Sequence, residues 1–273
     1  MQFATNKFLS ITCAFLSIFL LSFNCLSEDI KKAKFAYFGN AESDYFLGVK
    51  QSISEANRQG RFLGQGYEID SFDDNIPDNF EPAAYIAIIT DTTNSDFLIE
   101  LANNYPTHPI FNLALTDTNL RSACHANLLN ILPSNAMKKD AMAQWAKKSP
   151  DTPAKAQAWH KDFKKYAARD LNKRFLKKQK VPMNDASWAG WAGTKMTWDG
   201  FARDEAQNAK EMLDYLKNRL SFDGQKGLNM TFRKTGQLIQ PVLIVSEDKI
   251  VAEAPIRGIA KSIDSLGILD CAK

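Results

Sequence analysis

Three short polar segments follow apolar runs in the first half of the chain, and their side chains could hold a polar solute. Each apolar run is predicted to be a strand of a parallel sheet, and such sheets bind ligands at the carboxyl ends of their strands. Hydroxyls, an amide and a carboxylate offer donors and acceptors there. The candidate ligand-binding residues are Gly39, Asn40, Thr90, Asp91, Thr92, Ala114 and Thr116. The same residue types also cap helices, and the sequence leaves both roles open.

Catalysis is not indicated by any motif in the sequence. Patterns typical of a nucleophilic serine, a zinc protease or a phosphate-binding loop do not occur. The histidines His108, His125 and His160 are far apart and fit no metal-ligand or nucleophile spacing. We therefore predict a protein that is not an enzyme, with no catalytic residue, no cofactor and no metal.

An acidic loop supports the main enzymatic alternative. Asp70, Asp73, Asp74 and Asp78 could bind a hard cation through their oxygens, and a metal-dependent enzyme could use this loop or Asp91. The spacing is not that of an EF-hand, and a proline interrupts the loop. A solvated loop is the favoured interpretation.

Alternating apolar and amphipathic segments predict an α/β fold with a parallel sheet in the first half. Strands are expected at 34–38, 67–72, 85–89 and 109–113. Ser43 is expected to cap a helix that Gly60 closes, and a second helix is expected at 95–104. Strands that alternate with helices in this way are typical of a parallel sheet covered on both faces.

The second half is predicted to be mostly helical, with a hairpin at its end. Helices are expected at 134–147, at 153–178 and from Asn184 or Asp185 to residue 220. Strands are expected at 228–233, 242–246 and 249–254, the last two joined by a turn at Glu247 and Asp248. This gives an α/β lobe at 28–148, and a helical part with a hairpin at 149–273.

The N-terminus has the features of a cleavable export signal, predicted at 1–27. A short apolar run at 8–21 follows Lys7 and precedes small residues at a cleavage position. An uncleaved anchor and a lipoprotein acylated at Cys25 are the alternatives. Nothing after residue 30 is apolar enough to cross a membrane. The sequence therefore predicts a periplasmic protein with no membrane span after signal removal.

Charge and cysteines distinguish the two halves further. Residues 28–150 carry 11 basic and 16 acidic side chains, whereas residues 151–273 carry 22 and 15. The basic excess is concentrated at 155–180, a pattern typical of a solvated helix face or of a surface that attracts acidic partners.

Cys124 and Cys271 remain after signal removal. In an oxidising compartment they are expected to form a disulfide, with two buried thiols as the alternative.

Several stretches of the chain resemble a known family. Residues 46–57 and 60–64 look like the first helix and turn of type I periplasmic solute-binding proteins. Residues 121–129, 231–245 and 188–191 resemble the substrate-binding-like proteins encoded with pyrroloquinoline-quinone-dependent alcohol dehydrogenase systems. Full members of the family have two α/β lobes. Since no apolar strand candidate occurs between residues 134 and 227, the resemblance implies a shortened member whose second lobe is largely missing.

The resemblance implies a non-catalytic accessory protein of an ABC-transporter-like alcohol oxidation system. Its partners would be a small polar solute and a periplasmic quinoprotein dehydrogenase or transporter, without nucleic acid. An interaction module with no small ligand is the alternative, because a missing lobe would expose apolar surface. The candidate faces for that role are the tryptophan-bearing helix and the basic helix.

Overall fold

The computed structural model describes residues 30–260 and 262–272. The signal peptide predicted at 1–27 lies outside the described residues. Within them, no helix has the length and apolar character needed to cross a membrane.

A five-stranded parallel sheet forms the centre of the first half, as the α/β pattern predicts. Its strands are β1 (Lys31–Phe38), β2 (Gln65–Phe72), β3 (Ala87–Thr90), β4 (Ile110–Asn112) and β5 (Leu128–Asn130). They lie in the order β2-β1-β3-β4-β5. The central strand β3 is buried throughout, as expected for a sheet covered on both faces. Strand β5 has only three residues and was not predicted.

Four helices connect and follow these strands. They are α1 (Asp44–Gly60), α2 (Ser95–Asn104), α3 (Thr118–Ser122) and α4 (Asn135–Lys148). The predicted cap at Ser43 is confirmed, since its side chain accepts a hydrogen bond from the Phe46 amide. Asn94 and Ser134 cap α2 and α4 in the same way. The boundaries of these helices are therefore set by local side-chain chemistry.

The second half contains a small antiparallel sheet as well as helices. Its elements are β6 (Lys155–Gln157), α5 (Ala168–Gln179), α6 (Asp185–Ala202), α7 (Ala209–Asn218), β7 (Val242–Ser246) and β8 (Lys249–Ala254). The sheet order is β6-β7-β8. The predicted hairpin is confirmed, and Glu247 and Asp248 at its turn both have positive φ. Between residues 134 and 227, where the sequence has no apolar strand candidate, the short polar strand β6 forms by pairing with β7.

Three further predictions in this half are wrong. The helix expected at 153–178 begins only at Ala168. The apolar residues with helical spacing before it belong to a loop. In this loop the Trp159 ring stacks on the Trp188 ring, with 5.8 Å between the ring centroids. The helix expected to reach residue 220 stops at Ala202, because Asp204 adopts a left-handed φ, and α7 starts from a new cap at Asn208. Residues 228–233 form only isolated bridges.

Helices α1 and α6 cross in direct backbone contact and join the two halves. A Cβ at Gly48 would lie 1.9 Å from the Ser187 carbonyl oxygen, and a Cβ at Gly190 would lie 2.0 Å from that of Tyr45. Only glycine fits at both positions. Trp188, Trp191 and Trp198 of α6 are buried in the core that this crossing creates. The tryptophan-bearing helix is therefore not an exposed interaction face.

Candidate functional site: the strand-end cluster

The candidate residues after β1 and β3 lie together at the carboxyl ends of these strands. The Asn40 amide donates to Asp91 Oδ1 over 3.1 Å. Gly39 has φ of +139°, and a Cβ there would lie 1.7 Å from the same oxygen. The Asp91 side chain therefore packs against the backbone of the loop after β1. This close contact requires glycine at position 39. We call Gly39, Asn40, Ser43, Thr90–Thr92 and the two tyrosines described below the strand-end cluster.

The two threonines beside Asp91 shape the loop. Thr90 Oγ1 accepts from the Thr92 amide at 3.0 Å, and Thr92 Oγ1 donates to Asp74 Oδ2 at 2.8 Å while accepting from the Asn94 amide at 3.1 Å. Both threonines are buried. Their hydroxyls are thus engaged within the protein, and the structure gives them a positioning role rather than an open binding face.

Asp91 is the carboxylate of the cluster. Asp91 as a whole residue is only 9% exposed. Within the described residues, Oδ1 accepts from the Asn40 amide, the Tyr37 phenol is the other hydrogen-bonding group beside the carboxylate, and no cation lies within ion-pair distance. An almost buried carboxylate without a cation is costly unless a partner supplies the missing charge or donors.

Two tyrosines adjoin Asp91. The Tyr37 hydroxyl lies 3.2 Å from Ser43 Oγ. Burial raises the pKa of the Tyr37 phenol well above its ordinary value, and the nearby Asp91 charge adds to the increase. Burial also raises the pKa of Tyr45, followed by the charges of Asp91 and Asp185. Both phenols therefore stay protonated at neutral pH. The carboxylates around them contribute to the raised pKa values, so the surroundings of the two tyrosines are negatively charged.

The start of α6 contributes part of that negative field. Asn184 Nδ2 donates to Asp44 Oδ2 over 2.6 Å, so the first turns of α1 and α6 meet beside the strand ends. Asp185 follows directly, and its Oδ1 accepts from the Trp159 amide at 2.7 Å. Sequence reasoning missed Tyr37, Tyr45 and Asp185, because they come from a buried strand and from helix starts far apart in the chain. No local signal links them.

Ala114 and Thr116 lie after β4, where a buried amide network fixes the loop. Asn112 Nδ2 donates to the Leu115 carbonyl and to Asn130 Oδ1, each over 2.8 Å. Thr116 Oγ1 donates to Asn135 Oδ1 over 3.0 Å. Both candidates are half-buried at the same edge of the sheet as β3. No hydrogen bond among the described residues joins them to Asp91.

A buried arginine holds this loop from behind. Arg121 donates from Nε to Gln237 Oε1 over 3.0 Å, and from Nη1 to the carbonyls of Leu115 at 2.8 Å and Asp117 at 3.0 Å. Burial lowers its pKa to about 10, although Asp117 opposes the decrease. The two stretches around 121–129 and 231–245 thus meet at this contact and stabilise the β4 loop.

The predicted disulfide is present. Cys124 and Cys271 are bonded across a sequence separation of 147 residues. The Ala272 amide also donates to the Ser122 carbonyl at 2.9 Å. The C-terminal segment is therefore fixed beside α3 and the loop that precedes it.

The acidic loop is used for internal contacts rather than gathered into one site. Asp70 accepts from Tyr85 at 2.7 Å and pairs with Lys34 at 2.6 Å, and Asp74 accepts from Thr92. Asp73 and Asp78 are exposed. Among the described residues, no group of three or more His, Cys, Asp or Glu side chains is placed to hold a metal ion.

The histidines lie apart from the cluster. His108 Nε2 is 2.9 Å from the Pro82 carbonyl oxygen, and burial lowers the pKa of its ring. His160 Nε2 is 3.0 Å from Asp248 Oδ1. Both contacts join loops of the fold, and neither places a nucleophile beside the ring.

Comparison with known proteins gives matches among solved structures only. No protein-family model and no curated protein matches the chain. A branched-chain amino acid ABC transporter periplasmic ligand-binding protein from Burkholderia xenovorans has a TM-score of 0.65 at 13% identity, covering 81% of this chain and 95% of that one. The leucine-, isoleucine-, valine-, threonine- and alanine-binding protein from Brucella ovis, in its closed conformation, has 0.66 at 10%, covering 82% and 92%.

A third structure is similar to the same degree. It is a leucine-binding protein from Thermotoga maritima, with a TM-score of 0.62 at 11% identity, covering 81% of this chain and 98% of that one. At these identities the similarity establishes the fold. The chain has the type I periplasmic binding fold.

Proposed function

We propose that the protein is a non-catalytic binding protein that holds a small polar solute with a cationic amine at the strand-end cluster. The single observation that carries the proposal is Asp91, an almost buried carboxylate with one oxygen fixed by the Asn40 amide and no cation within ion-pair distance in the described residues. A buried carboxylate in this state gains most from a ligand that brings a positive charge and hydrogen-bond donors.

The surroundings of Asp91 support a cationic ligand. Asp44 and Asp185 lie on the same side, around Tyr45, and add negative charge. Such a field favours cations and disfavours anions. The amino acids that the similar structures are named for carry an ammonium group, which agrees with this preference.

Solute capture without lobe closure fits the way the halves are joined. The α1–α6 crossing leaves no room for a side chain at Gly48 or Gly190, and the disulfide fixes the C-terminus. Hinge closure needs segments that change their backbone angles while the packed bodies stay intact. We therefore propose a preformed cluster instead of a closing cleft.

The cellular setting of the proposal is the periplasm. The N-terminal signal pattern and the periplasmic proteins with the same fold support this location. The resemblance of 121–129, 188–191 and 231–245 to proteins of quinone-dependent alcohol oxidation systems supports a role as an accessory of such a dehydrogenase or of its transporter. An alternative role as an interaction module would have to use the basic helix α5.

A titration of the protein tests the proposal. Purified chain without its signal peptide is titrated calorimetrically with amino acids, with their decarboxylated amines and with matched alcohols and carboxylates. We expect one-to-one binding of ligands with an ammonium group at the strand-end cluster and no binding there of anions that lack one, so Asp91→Asn should weaken the binding of the amines only. Equal binding of matched amines and alcohols would contradict the proposal.

A further inference from the structure

A second concave surface lies beside α5, outside the strand-end cluster. Its volume is about 290 Å³, near the lower end of the range typical of small-molecule sites. It is formed by α5, by the loop that precedes it and by the turn after it. We call it the α5 groove; its floor is Phe163, Leu176, Pro182 and Met183.

The floor of the α5 groove is apolar and partly open. Phe163 and Met183 are buried, while Leu176 is 51% exposed although it is a large aliphatic side chain. Leu176 belongs to α5, whose opposite side buries Leu171 and Phe175 in the core. The groove therefore offers apolar surface on which a ligand could lose water contacts favourably.

The rim of the groove is strongly basic. Lys161, Lys164, Arg169 and Lys173 line it, against the single carboxylate of Asp162. Lys161 pairs with Asp248, and Arg169 lies 3.7 Å from Asp170.

Two of these cations have no acidic partner in the described part of the chain. Lys164 and Lys173 are exposed and form no ion pair there. They leave two ammonium groups beside an apolar floor.

We infer that the α5 groove binds a small organic anion with an apolar body, such as a straight-chain or aromatic monocarboxylate. The apolar body lies on Leu176, Pro182 and Met183, and the carboxylate meets the ammonium groups of Lys164 and Lys173. Neither contact alone gives selectivity, because an apolar floor accepts any apolar chain and a lysine rim attracts any anion. Together they select ligands that have both features.

The groove would thus take the class of ligand that the strand-end cluster rejects. None of the residues that line it belongs to the cluster, and the sign of the charge is opposite. Binding at one site is expected to leave the other site available.

Calorimetric titration of the mature chain with octanoate, octanol and octylamine tests the inference. We expect octanoate to bind one to one and octanol at least about tenfold more weakly, and octylamine, whose charge suits the strand-end cluster instead, should not displace octanoate. The substitution Lys164→Gln with Lys173→Gln should weaken octanoate binding at least about tenfold. Leu176→Gln should weaken octanoate and octanol together. Each change is at an exposed position, so the melting curve should stay that of the wild type.

The matched control is Lys177→Gln with Lys178→Gln, which removes the same charge from the same helix outside the groove. It should leave octanoate binding unchanged. Equal weakening in the control, unchanged binding in the Lys164 and Lys173 variant, equal affinity for octanoate and octanol, or displacement of octanoate by octylamine would overturn the inference. So would binding to vesicles of anionic phospholipid without binding of free octanoate, because the surface would then recognise a membrane.

Discussion

The strand-end cluster and the α5 groove organise polar groups in opposite ways. In the cluster the polar atoms are bonded to one another by residues distant in sequence, as when the Asn40 amide meets Asp91. In the groove the charged groups come from one short stretch, and Lys164 and Lys173 extend into solvent without acidic partners in the described residues. Binding at the cluster is therefore expected to depend on the intact fold. Binding in the groove is expected to tolerate changes in structure and to depend on the charge of its lysines.

The largest effect should come from adding one methyl group to the cluster. Gly39→Ala places a Cβ 1.7 Å from Asp91 Oδ1 at a φ of +139°. We expect a loss of about 3 kcal/mol in the free energy of unfolding, because backbone strain and overpacking act together. Urea denaturation measures the loss.

The matched control for Gly39 is Gly64→Ala. Gly64 also has positive φ, +62°, but a Cβ there meets nothing within 4 Å. It should cost only about 1 kcal/mol, the strain of a left-handed residue alone. Equal losses of unfolding free energy in the two variants would show that the close approach of Asp91 to Gly39 adds no cost.

Removal of the disulfide should come close behind. Replacing Cys124 and Cys271 by serine opens a loop closed across a sequence separation of 147 residues. We expect a loss of about 2–3 kcal/mol, within the range typical of a disulfide. Each single serine variant should lose as much as the double one, and thermal melts check this. Additive losses from the single variants would indicate two separate thiols.

A third prediction compares a buried lysine with those on the surface. Lys226 is fully buried, with Nζ donating to Gln240 Oε1 at 2.9 Å and to the Pro241 carbonyl at 3.2 Å, above the Trp188 ring. Burial lowers its pKa to about 7, while the more distant charges of Asp185 and Glu253 oppose the decrease. The folded protein therefore holds this proton less tightly than the unfolded chain does.

Stability should consequently rise with pH above 7 because of Lys226. Between pH 7 and pH 9 the unfolded chain keeps the proton and the folded protein releases it, which adds about 2–3 kcal/mol to the free energy of unfolding. Lys226→Met should lose this increase, as measured by urea denaturation at several pH values. Lys173→Met in the α5 groove should keep the wild-type slope; a shared slope in all three proteins would contradict the burial argument.

The parts of the fold that the sequence predicted are those with local signals. Ser43 caps α1 and Gly60 is its last residue, and the turn at Glu247 and Asp248 joins β7 to β8. Strand β6 could not be predicted, since three residues of mixed polarity become a strand only by pairing with β7. The loop around Trp159 has the apolar spacing of a helix because its Trp159 ring is buried by stacking on Trp188.

The candidate site was predicted in part for the same reason. Thr90, Asp91 and Thr92 follow a buried strand, which identifies them as strand-end residues, and their position at the sheet edge agrees with that. Whether a hydroxyl is available or already bonded depends on distant partners such as Asp74 for Thr92. Tyr45 of α1 and Asp185 of α6 come close to each other only because α6 crosses α1.

The most direct test of the account is a calorimetric comparison of Asp91→Asn with Asp73→Asn, using an amine ligand found by titration of the wild type. Both changes remove one carboxylate charge, but Asp73 is exposed on the loop, and no side-chain hydrogen bond among the described residues joins it to the cluster. We predict that Asp91→Asn weakens binding about tenfold or more, as expected for a lost charge-assisted contact of about 1.5–3 kcal/mol, and that Asp73→Asn binds like the wild type. Unchanged binding in Asp91→Asn, or equal weakening in both variants, would contradict the assignment of Asp91 as the ligand-binding carboxylate.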